Sequence, residues 1–172
     1  MSTLRRHGLF MKGGAAASWV ALDADVLLKH TKTSTVRYTK NTTTAWDGYA
    51  YKDVNNQVNS EIKQTGGSNS HRFIGFYNKS LVQAIIYKNY DYAMNYNSVQ
   101  SLIDIWERGV KQYTEDPANN TDELRIKKIS GAAEYYINDV LKYTSLQNFT
   151  GSQFGCSVFD DGAYLDEIYY KL

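Results

Sequence analysis

The chain has 172 residues, of which 42% are hydrophobic, and a formal net charge of +1. This length and apolar content suit one domain with an arm or a tail, and they exclude a disordered chain. The single cysteine excludes an intrachain disulfide and a four-cysteine zinc site. An apolar run near the start is too interrupted for a signal peptide, and no window approaches the roughly 18 apolar residues of a membrane span, so we expect a soluble protein.

The first third of the chain is basic and is predicted to form an arm. Residues 1–40 contain seven Lys or Arg against Asp23 and Asp25. Apolar spacing predicts short helices over 15–28 and 44–63, whereas the six threonines of 31–43 favour an extended arm or an edge strand. The Gly- and Ser-rich segment 66–70 is the expected hinge. We therefore divide the chain into a basic N-terminal helical or extended arm, residues 1–65, and a helical bundle with a tail, residues 66–172.

Helical spacing of apolar residues continues in the second part. It predicts helices over 79–95, 98–114 and 121–143, with Pro117 ending the second of them. Short connections make such helices antiparallel neighbours. The last thirty residues are aromatic without a clear period, so we expect an irregular tail. The predicted fold is all-α: an antiparallel bundle of about four helices, a basic arm and an aromatic C-terminal tail.

Catalytic and metal-binding signatures are weak throughout. The three histidines lack partners at helical spacing, and Cys156 has no neighbouring base. The acidic pairs Asp160-Asp161 and Asp166-Glu167 lack the order of a calcium loop, and no glycine pair has the Lys-Ser/Thr of a phosphate loop. We therefore predict no enzyme activity, no metal and no cofactor.

The fifteen tyrosines suggest an interaction surface. Tyr87, Tyr90, Tyr92 and Tyr96 cannot all share one buried face of a helix, so some are expected to point outward. Contact with another subunit is favoured over stacking on single-stranded bases, because the usual stacking platform is a sheet.

The basic residues predict a partner rich in phosphate. Cationic and hydroxyl side chains contact phosphate oxygens without reading base sequence, which suits coating a duplex, although the residues alone leave duplex and single strand open. The predicted nucleic-acid-binding residues are Arg5, Arg6, His7, Lys12, Lys29, His30, Lys32, Arg37, Lys40, Lys52, Lys63 and Arg72.

The Arg5-Arg6-His7 start, the arm through Ile62 and the three predicted helices together resemble the major capsid proteins of filamentous and rod-shaped archaeal viruses, of the lipothrixvirus and rudivirus type. The resemblance implies an arm that wraps double-stranded DNA. It also implies a helical assembly of this chain, alone or as a heterodimer with a paralogous subunit, located in the virion and assembled in the host cytoplasm. No small-molecule substrate is expected, and nothing in the sequence supports a membrane envelope.

Two functions follow from these patterns. The first is a structural nucleoprotein, a viral major capsid protein, in which the arm binds duplex DNA and the acidic tail pairs with the next subunit. The alternative is a non-enzymatic protein-interaction or virion-assembly module with no direct DNA contact.

Overall fold

The computed structural model describes residues 18–34, 37–41, 43–54, 59–78, 90–130, 132–148 and 153–172. The predicted all-α bundle is wrong, because these residues form β-strands and include no helix. Accordingly, no helix among them is long and apolar enough to cross a membrane. The strands are β1 Val20–Ala21, β2 Val26–Leu28, β3 His30–Lys32, β4 Tyr38–Lys40, β5 Tyr49–Asp53, β6 Ser60–Thr65, β7 Arg72–Tyr77, β8 Tyr92–Asn97, β9 Leu102–Glu107, β10 Val110–Glu115, β11 Glu123–Ile129, β12 Ala132–Ile137, β13 Val140–Thr144, β14 Gln153–Val158, β15 Tyr164–Leu165 and β16 Ile168–Lys171.

The strands form three antiparallel sheets. Sheet A has the order β1-β16-β6-β11-β12-β13, and sheet B has the order β10-β9-β8-β7-β14-β5-β2. The small sheet C has the order β15-β4-β3. Strands on both sides of the predicted division at residue 65 share sheets, since β6 pairs with β11 and β5 pairs with β14. The two parts of the chain thus contribute to the same layers.

Sheets A and B pack face to face around the main core. Along β11 and β12, buried and half-buried residues alternate, which is the period of a strand with one covered face. Leu124, Ile126 and Tyr135 point inward from sheet A, and Ile74 and Met94 point inward from sheet B. The rings of Tyr92 and Tyr135 meet across the interface, with centroids 6.4 Å apart.

Sheet B is covered on its other face as well, which we call the outer face. Every residue of β7 and β14 is buried, so these strands are covered on both sides. A second apolar cluster, formed by Phe73, Tyr77, Tyr90 and Ala93, lies on this outer face. The candidate site lies on this same outer face.

Tight hairpins replace the predicted long helices. Arg108 and Gly109, between β9 and β10, have φ of 44° and 84°; Asn138 and Asp139, between β12 and β13, have φ of 50° and 62°. Two consecutive positive φ angles match the right-handed twist of paired strands, as in a type I′ turn. The residues predicted as helices over 98–114 and 121–143 therefore fold back on themselves as β9-β10 and β11-β12-β13.

The remaining element predictions are corrected in the same way. The residues predicted as helices over 15–28 and 44–63 contain strands β1, β2, β5 and β6 where they are described, and 90–95 of the third predicted helix lead into and begin β8. Residues 31–43, for which an edge strand was one alternative, contain most of β3 and all of β4. The predicted irregular tail contains β14, which lies inside sheet B between β7 and β5.

The tyrosines expected to point outward from a helix are buried. Tyr90, Tyr92 and Tyr96 have at most 3% of their surface exposed. Tyr92 and Tyr96 belong to β8, which is covered on both faces, so residues on either face of this strand are buried. Tyr87 lies outside the described residues.

Candidate functional site

A cleft of about 210 Å³ opens at one end of the outer face of sheet B. Its lining residues come from four places in the chain: the loop before β5, the residue before β7, strand β8 and the residue after β14. The lining residues are Trp46, His71, Asn95, Asn97 and Phe159. Pairing of β7 with β8 and with β14 places these positions next to one another, in spite of their separation in sequence.

Three aromatic rings form the walls of the cleft. The ring of Trp46 lies 5.3 Å from that of Phe159 at 58°, and it also packs on Phe73 at 5.1 Å. The ring of His71 meets Phe159 edge-on at 5.7 Å and 89°. Tilted and edge-on pairs at these distances are favourable by about 0.5–1.5 kcal/mol beyond the area they bury. The walls are thus held in fixed, non-parallel orientations.

The side chain of Lys40 joins the two loops that carry Trp46 and Phe159. It is fully buried, and its ammonium donates to the carbonyl oxygens of Ala45 and Phe159, the latter at 2.9 Å. The backbone N–H of Ala45 also donates to the Phe159 carbonyl at 3.0 Å. A lysine predicted to bind nucleic acid therefore fixes the spacing between two walls of the cleft.

The buried charge of Lys40 is balanced by Asp47. Oδ1 of Asp47 lies 3.0 Å from the Lys40 ammonium, while Oδ2 accepts from Lys29 and, at 2.6 Å, from the Thr43 hydroxyl. These contacts, with that of Lys29 the largest, hold the pKa of the Asp47 carboxyl well below its usual range. The loop next to Trp46 therefore stays charged and connected at mildly acidic pH.

Asn95 supplies an unsatisfied polar group. Its side chain is 3% exposed, and its Oδ1 makes no hydrogen bond. Asn97 is different, because its Oδ1 accepts the N–H groups of Val99 and Gln100 and its Nδ2 donates to the Gln100 side chain at 2.8 Å. Asn97 shapes the rim of the cleft, whereas Asn95 has hydrogen-bonding capacity left for a ligand.

A larger and more open groove, about 420 Å³, lies between the β3-β4 turn and the residues before β16. Its charged side chains already pair with each other: NH2 of Arg37 donates to Oδ2 of Asp166 at 2.6 Å, and a second bond makes the pair bidentate. Arg37 also lies over the Tyr164 ring at 4.0 Å. Volume alone would favour this groove, but the smaller cleft contains the buried polar group without a partner.

The structure gives partners within the chain to the predicted nucleic-acid-binding residues that it describes. Arg72 and His30 are buried, like Lys40, and Nε of Arg72 donates to Gln64 at 2.9 Å. Desolvation lowers the pKa of the Arg72 guanidinium to about 10. The remaining five form ion pairs: Lys29 with Asp47, Lys32 with Asp23, Arg37 with Asp166, Lys52 with Asp25, and Lys63 with Glu123.

The other four predicted residues, Arg5, Arg6, His7 and Lys12, lie outside the described residues. Binding of nucleic acid by the twelve residues stays a prediction, as do duplex DNA and a paralogous subunit as partners and the virion as location. Asp166, expected to pair with another subunit, pairs with Arg37 of its own chain.

The other chemically notable groups do not converge. Cys156 is buried in the core, and burial raises the pKa of its thiol to about 12. No group of three or more His, Cys, Asp or Glu side chains among the described residues is arranged to hold a metal ion.

The cleft is not predicted by the sequence. The residues that line it are separated by up to 113 positions, from Trp46 to Phe159, and none of the five is among the predicted site residues. Trp46 and Asn95 were instead placed on predicted helices. The alternation of apolar and polar residues in 94–97, with asparagine at 95 and 97, is a signal that places both amides on one face of a strand.

Comparison with known proteins gives the fold. No family model and no curated protein matches the chain. The SPRY domain of human HERC1 is similar with a TM-score of 0.58 at 10% identity, over 87% of this chain and 96% of that one. The carbohydrate-binding module CBM66 from Bacillus subtilis has a TM-score of 0.56 at 11% identity, over 91% and 96% of the two chains, and a Bacillus licheniformis β-glucanase has 0.52 at 11%, over 90% and 92%. The described chain is thus a β-sandwich of the kind these proteins share.

The first function expected from the sequence, a capsid protein that assembles helically and coats duplex DNA, is wrong. It depended on a helical bundle with a separate arm, and the chain is instead similar to carbohydrate-binding and SPRY β-sandwiches. The helical fold implied by the resemblance to archaeal virus capsid proteins fails for the same reason; the resemblance otherwise stays a prediction from composition. The alternative, a non-enzymatic interaction module, agrees better with the fold.

Proposed function

We propose that this protein is a non-catalytic binding module, and that the cleft between Trp46, His71 and Phe159 is its recognition site. The observation that carries the proposal is the buried amide of Asn95, which lines an aromatic cleft with its oxygen unpaired. Leaving a buried polar group unsatisfied costs about 1–3 kcal/mol. A ligand that hydrogen-bonds this amide removes that cost while covering the rings.

The chemistry of the lining supports binding without catalysis. Of the five side chains, only the imidazole of His71 is of a type that commonly serves in general acid–base catalysis. Nucleophilic catalysis needs a nucleophile with a base within hydrogen-bond reach, and the other described lining side chains are two amides and two aromatic rings. The fold itself decides nothing here, because it is shared by a binding module and by a β-glucanase.

The rigidity of the cleft also supports recognition. Its walls are fixed by the Lys40 contacts and by the Asn97 turn, so little conformational entropy is lost when a ligand enters. Small-molecule sites are usually preformed, lined by aromatic side chains and equipped with a few convergent polar groups. The cleft has these properties at a smaller size.

Nuclear magnetic resonance tests this proposal through two reporters in the cleft, the Asn95 side-chain amide and the Trp46 indole. The ¹⁵N-labelled protein is titrated separately with a mixture of saccharides and a mixture of short peptides. We expect one mixture to shift both signals in a saturable manner, and the shift of the Asn95 signal to disappear in Trp46→Ala. Shifts confined to signals elsewhere in the protein, or the absence of any shift with both mixtures, would refute the cleft as the recognition site.

Trp19→Ala is the matched control. Trp19 lies on the outer side of sheet A between two lysines, with Lys171 4.1 Å and Lys63 4.9 Å from its ring. It is partly exposed, like Trp46, but does not line the cleft. Its removal is expected to leave the titration unchanged.

A further inference from the structure

From the same cleft we infer the class of its ligand: a single neutral sugar ring, presented at the end of a larger saccharide. This inference rests on the proposed function and adds the chemistry of what is bound. Four properties of the cleft lead to it: its charge, its walls, its floor and its size.

The charge of the cleft excludes anionic ligands. Its lining includes no lysine or arginine. The buried cation Lys40 already donates to the carbonyl oxygens of Ala45 and Phe159, and its charge is balanced by Oδ1 of Asp47 at 3.0 Å. Apart from His71, the described residues that line the cleft therefore offer no cationic side chain to a phosphate, sulfate or carboxylate, and burying such a group unpaired is costly. The group that enters the cleft therefore carries none of these anions.

The aromatic walls of the cleft and the Asn95 amide, which we call its floor, together require a ligand with both an apolar face and hydroxyl groups. The rings of Trp46 and Phe159 meet at 58°, so they do not form the parallel pair that would sandwich a flat base. They present instead a corner that the C–H groups of a puckered ring can cover. The Asn95 amide lies beside it, and a rotation about χ2 exchanges its donor and acceptor at little cost in shape. A hydroxyl group, which both donates and accepts, satisfies the amide in either orientation.

The surrounding sheet argues against an extended peptide. Strand β8, which carries Asn95, is hydrogen-bonded to β7 on one side and to β9 on the other. Its backbone N–H and C=O groups are therefore used within sheet B, and a peptide cannot add here as another strand. A peptide would have to bind through one inserted side chain, without the main-chain hydrogen bonds that usually provide its affinity.

The volume limits how much of the ligand enters. Sites that enclose a drug-sized molecule measure about 300–1,000 Å³, whereas this cleft measures about 210 Å³. It accommodates one ring-sized group and leaves the rest of the ligand outside. Together with the neutral, hydroxyl-rich character, this points to one terminal sugar unit.

The test is a titration of the full chain with single sugars, followed through the Asn95 amide and the Trp46 indole signals. The neutral set is glucose, galactose, mannose, fructose and N-acetylglucosamine; glucuronic acid and glucose 6-phosphate are charged counterparts of one of them. We expect at least one neutral sugar to shift both signals, with dissociation constants in the millimolar range, and neither charged counterpart to do so at the same concentrations.

Asn95→Leu is expected to weaken binding of that sugar at least about tenfold. Gln153→Leu is the matched control: Gln153 is also a fully buried amide on the outer face of sheet B, with both polar side-chain atoms unpaired, but it does not line the cleft. Both variants replace a buried amide by a similar apolar volume. Equal loss of affinity in the two would mean that the effect is structural and would overturn the assignment.

The outcomes separate the two proposals. If no neutral sugar shifts the cleft signals at tens of millimolar, or if the charged counterparts bind better, the sugar assignment fails. If short peptides then shift the same signals, the binding module stands and its ligand is a peptide side chain. If neither class does so, both proposals fail.

Discussion

The ammonium of Lys40 lies 2.9 Å from the carbonyl oxygen of Phe159, a residue 119 positions further along the chain. This contact connects the end of β4 with the residue that follows β14, and the backbone bond from Ala45 to the same carbonyl joins the Trp46 loop to both. A buried lysine thus helps to fix the position of one aromatic wall relative to the other.

Replacing Lys40 by Met tests this dependence. The change keeps the apolar stem and removes the charge, leaving two buried carbonyl oxygens and Asp47 without the ammonium. Hydrogen bonds to charged groups contribute about 1.5–3 kcal/mol, so we expect Lys40→Met to lower the free energy of unfolding by about 2–3 kcal/mol. Urea denaturation followed by tryptophan fluorescence measures this change.

Lys52→Met is the control for Lys40→Met. Lys52 forms an ion pair with Asp25 at 3.1 Å, but both side chains are partly exposed. Exposed pairs contribute about 0–1 kcal/mol, so its loss is expected to stay below 1 kcal/mol. Equal destabilisation by the two variants would contradict the role of Lys40 in connecting the loops.

Glu107 is a carboxyl group that the fold buries at the interface of the sheets. Its Oε1 accepts from the Tyr135 hydroxyl at 2.9 Å. Burial raises the pKa of Glu107. The folded protein therefore holds this proton more tightly than the unfolded chain does, so the free energy of unfolding falls as pH rises from the ordinary carboxyl pKa through the raised one.

Glu107→Gln removes this fall in the free energy of unfolding with rising pH, because the amide keeps an acceptor for Tyr135 and carries no charge. We expect the variant to be more stable than the parent at pH 7, by about 1 kcal/mol, and to differ little from it near pH 4. Thermal melts at both pH values measure the difference. Lower stability at pH 7 would show that the ionised form is favoured in the fold.

Glu115, on the neighbouring strand β10, has a pKa that is shifted in the opposite direction from that of Glu107. Its carboxylate accepts from Lys142 at 2.7 Å, and that contact, followed by one from Tyr113, lowers the pKa of Glu115. The contribution of the Glu115 carboxylate to the free energy of unfolding is present above the ordinary carboxyl pKa, and it is lost as pH falls through the lowered pKa. Glu115→Gln is therefore expected to destabilise the protein at pH 7 by about 0.5 kcal/mol.

The ring of Tyr90 lies across two glycines of sheet B. A Cβ added at Gly155 would approach the Tyr90 hydroxyl oxygen well inside van der Waals contact and would lie 2.9 Å from Cε1. Gly155→Ala is expected to cost about 1–3 kcal/mol through overpacking. Because the hydroxyl is the nearest obstacle and has no hydrogen-bond partner, Tyr90→Phe should recover part of that loss in the double variant.

Gly75→Ala is the control for combining Gly155→Ala with Tyr90→Phe. A Cβ at Gly75 would collide with the backbone carbonyl of Tyr92 as well as with the Tyr90 ring, which lies 2.6 Å from it. Removing the Tyr90 hydroxyl relieves neither contact. Double-mutant cycles measured by urea unfolding should therefore show coupling of Tyr90→Phe with Gly155→Ala and little with Gly75→Ala.

Cys156 offers a simple probe of global unfolding. Its thiol is fully buried, and its pKa is raised to about 12 by burial, so little thiolate forms at pH 8. We expect no reaction with iodoacetamide in the native protein and rapid alkylation in urea, which mass spectrometry detects. Fast modification of the folded protein would contradict the burial of β14.

Some features could be predicted from the sequence and others could not. The absence of an intrachain disulfide follows from the single cysteine, and the capacity to bury a core follows from the 42% of hydrophobic residues. The secondary structure did not follow, because Leu102, Ile103, Trp106 and Val110 match helical spacing although they belong to the β9-β10 hairpin. A short apolar run fits both periods, and the two positive-φ residues between the strands decide the outcome.

The turn signals were present but lay inside predicted helices. Asn138-Asp139 tolerates positive φ and is flanked by Ile137 and Val140, which is a hairpin pattern. The cleft was less accessible to prediction, because it depends on which strands pair. Phe73 faces Asn95 across one ladder and Ser157 across another, and neither register can be read from local sequence.

The insertion of β14 between β7 and β5 has a kinetic consequence. Residues 153–158 join the strand at 72–77 to the strand at 49–53, so until they are synthesised the two parts of sheet B have open edges. Pairings between residues about a hundred positions apart form slowly, since the intervening loop must close first. During translation, therefore, the nascent chain exposes unpaired strands until β14 leaves the ribosome, and only when Phe159 follows it can the recognition cleft come into existence.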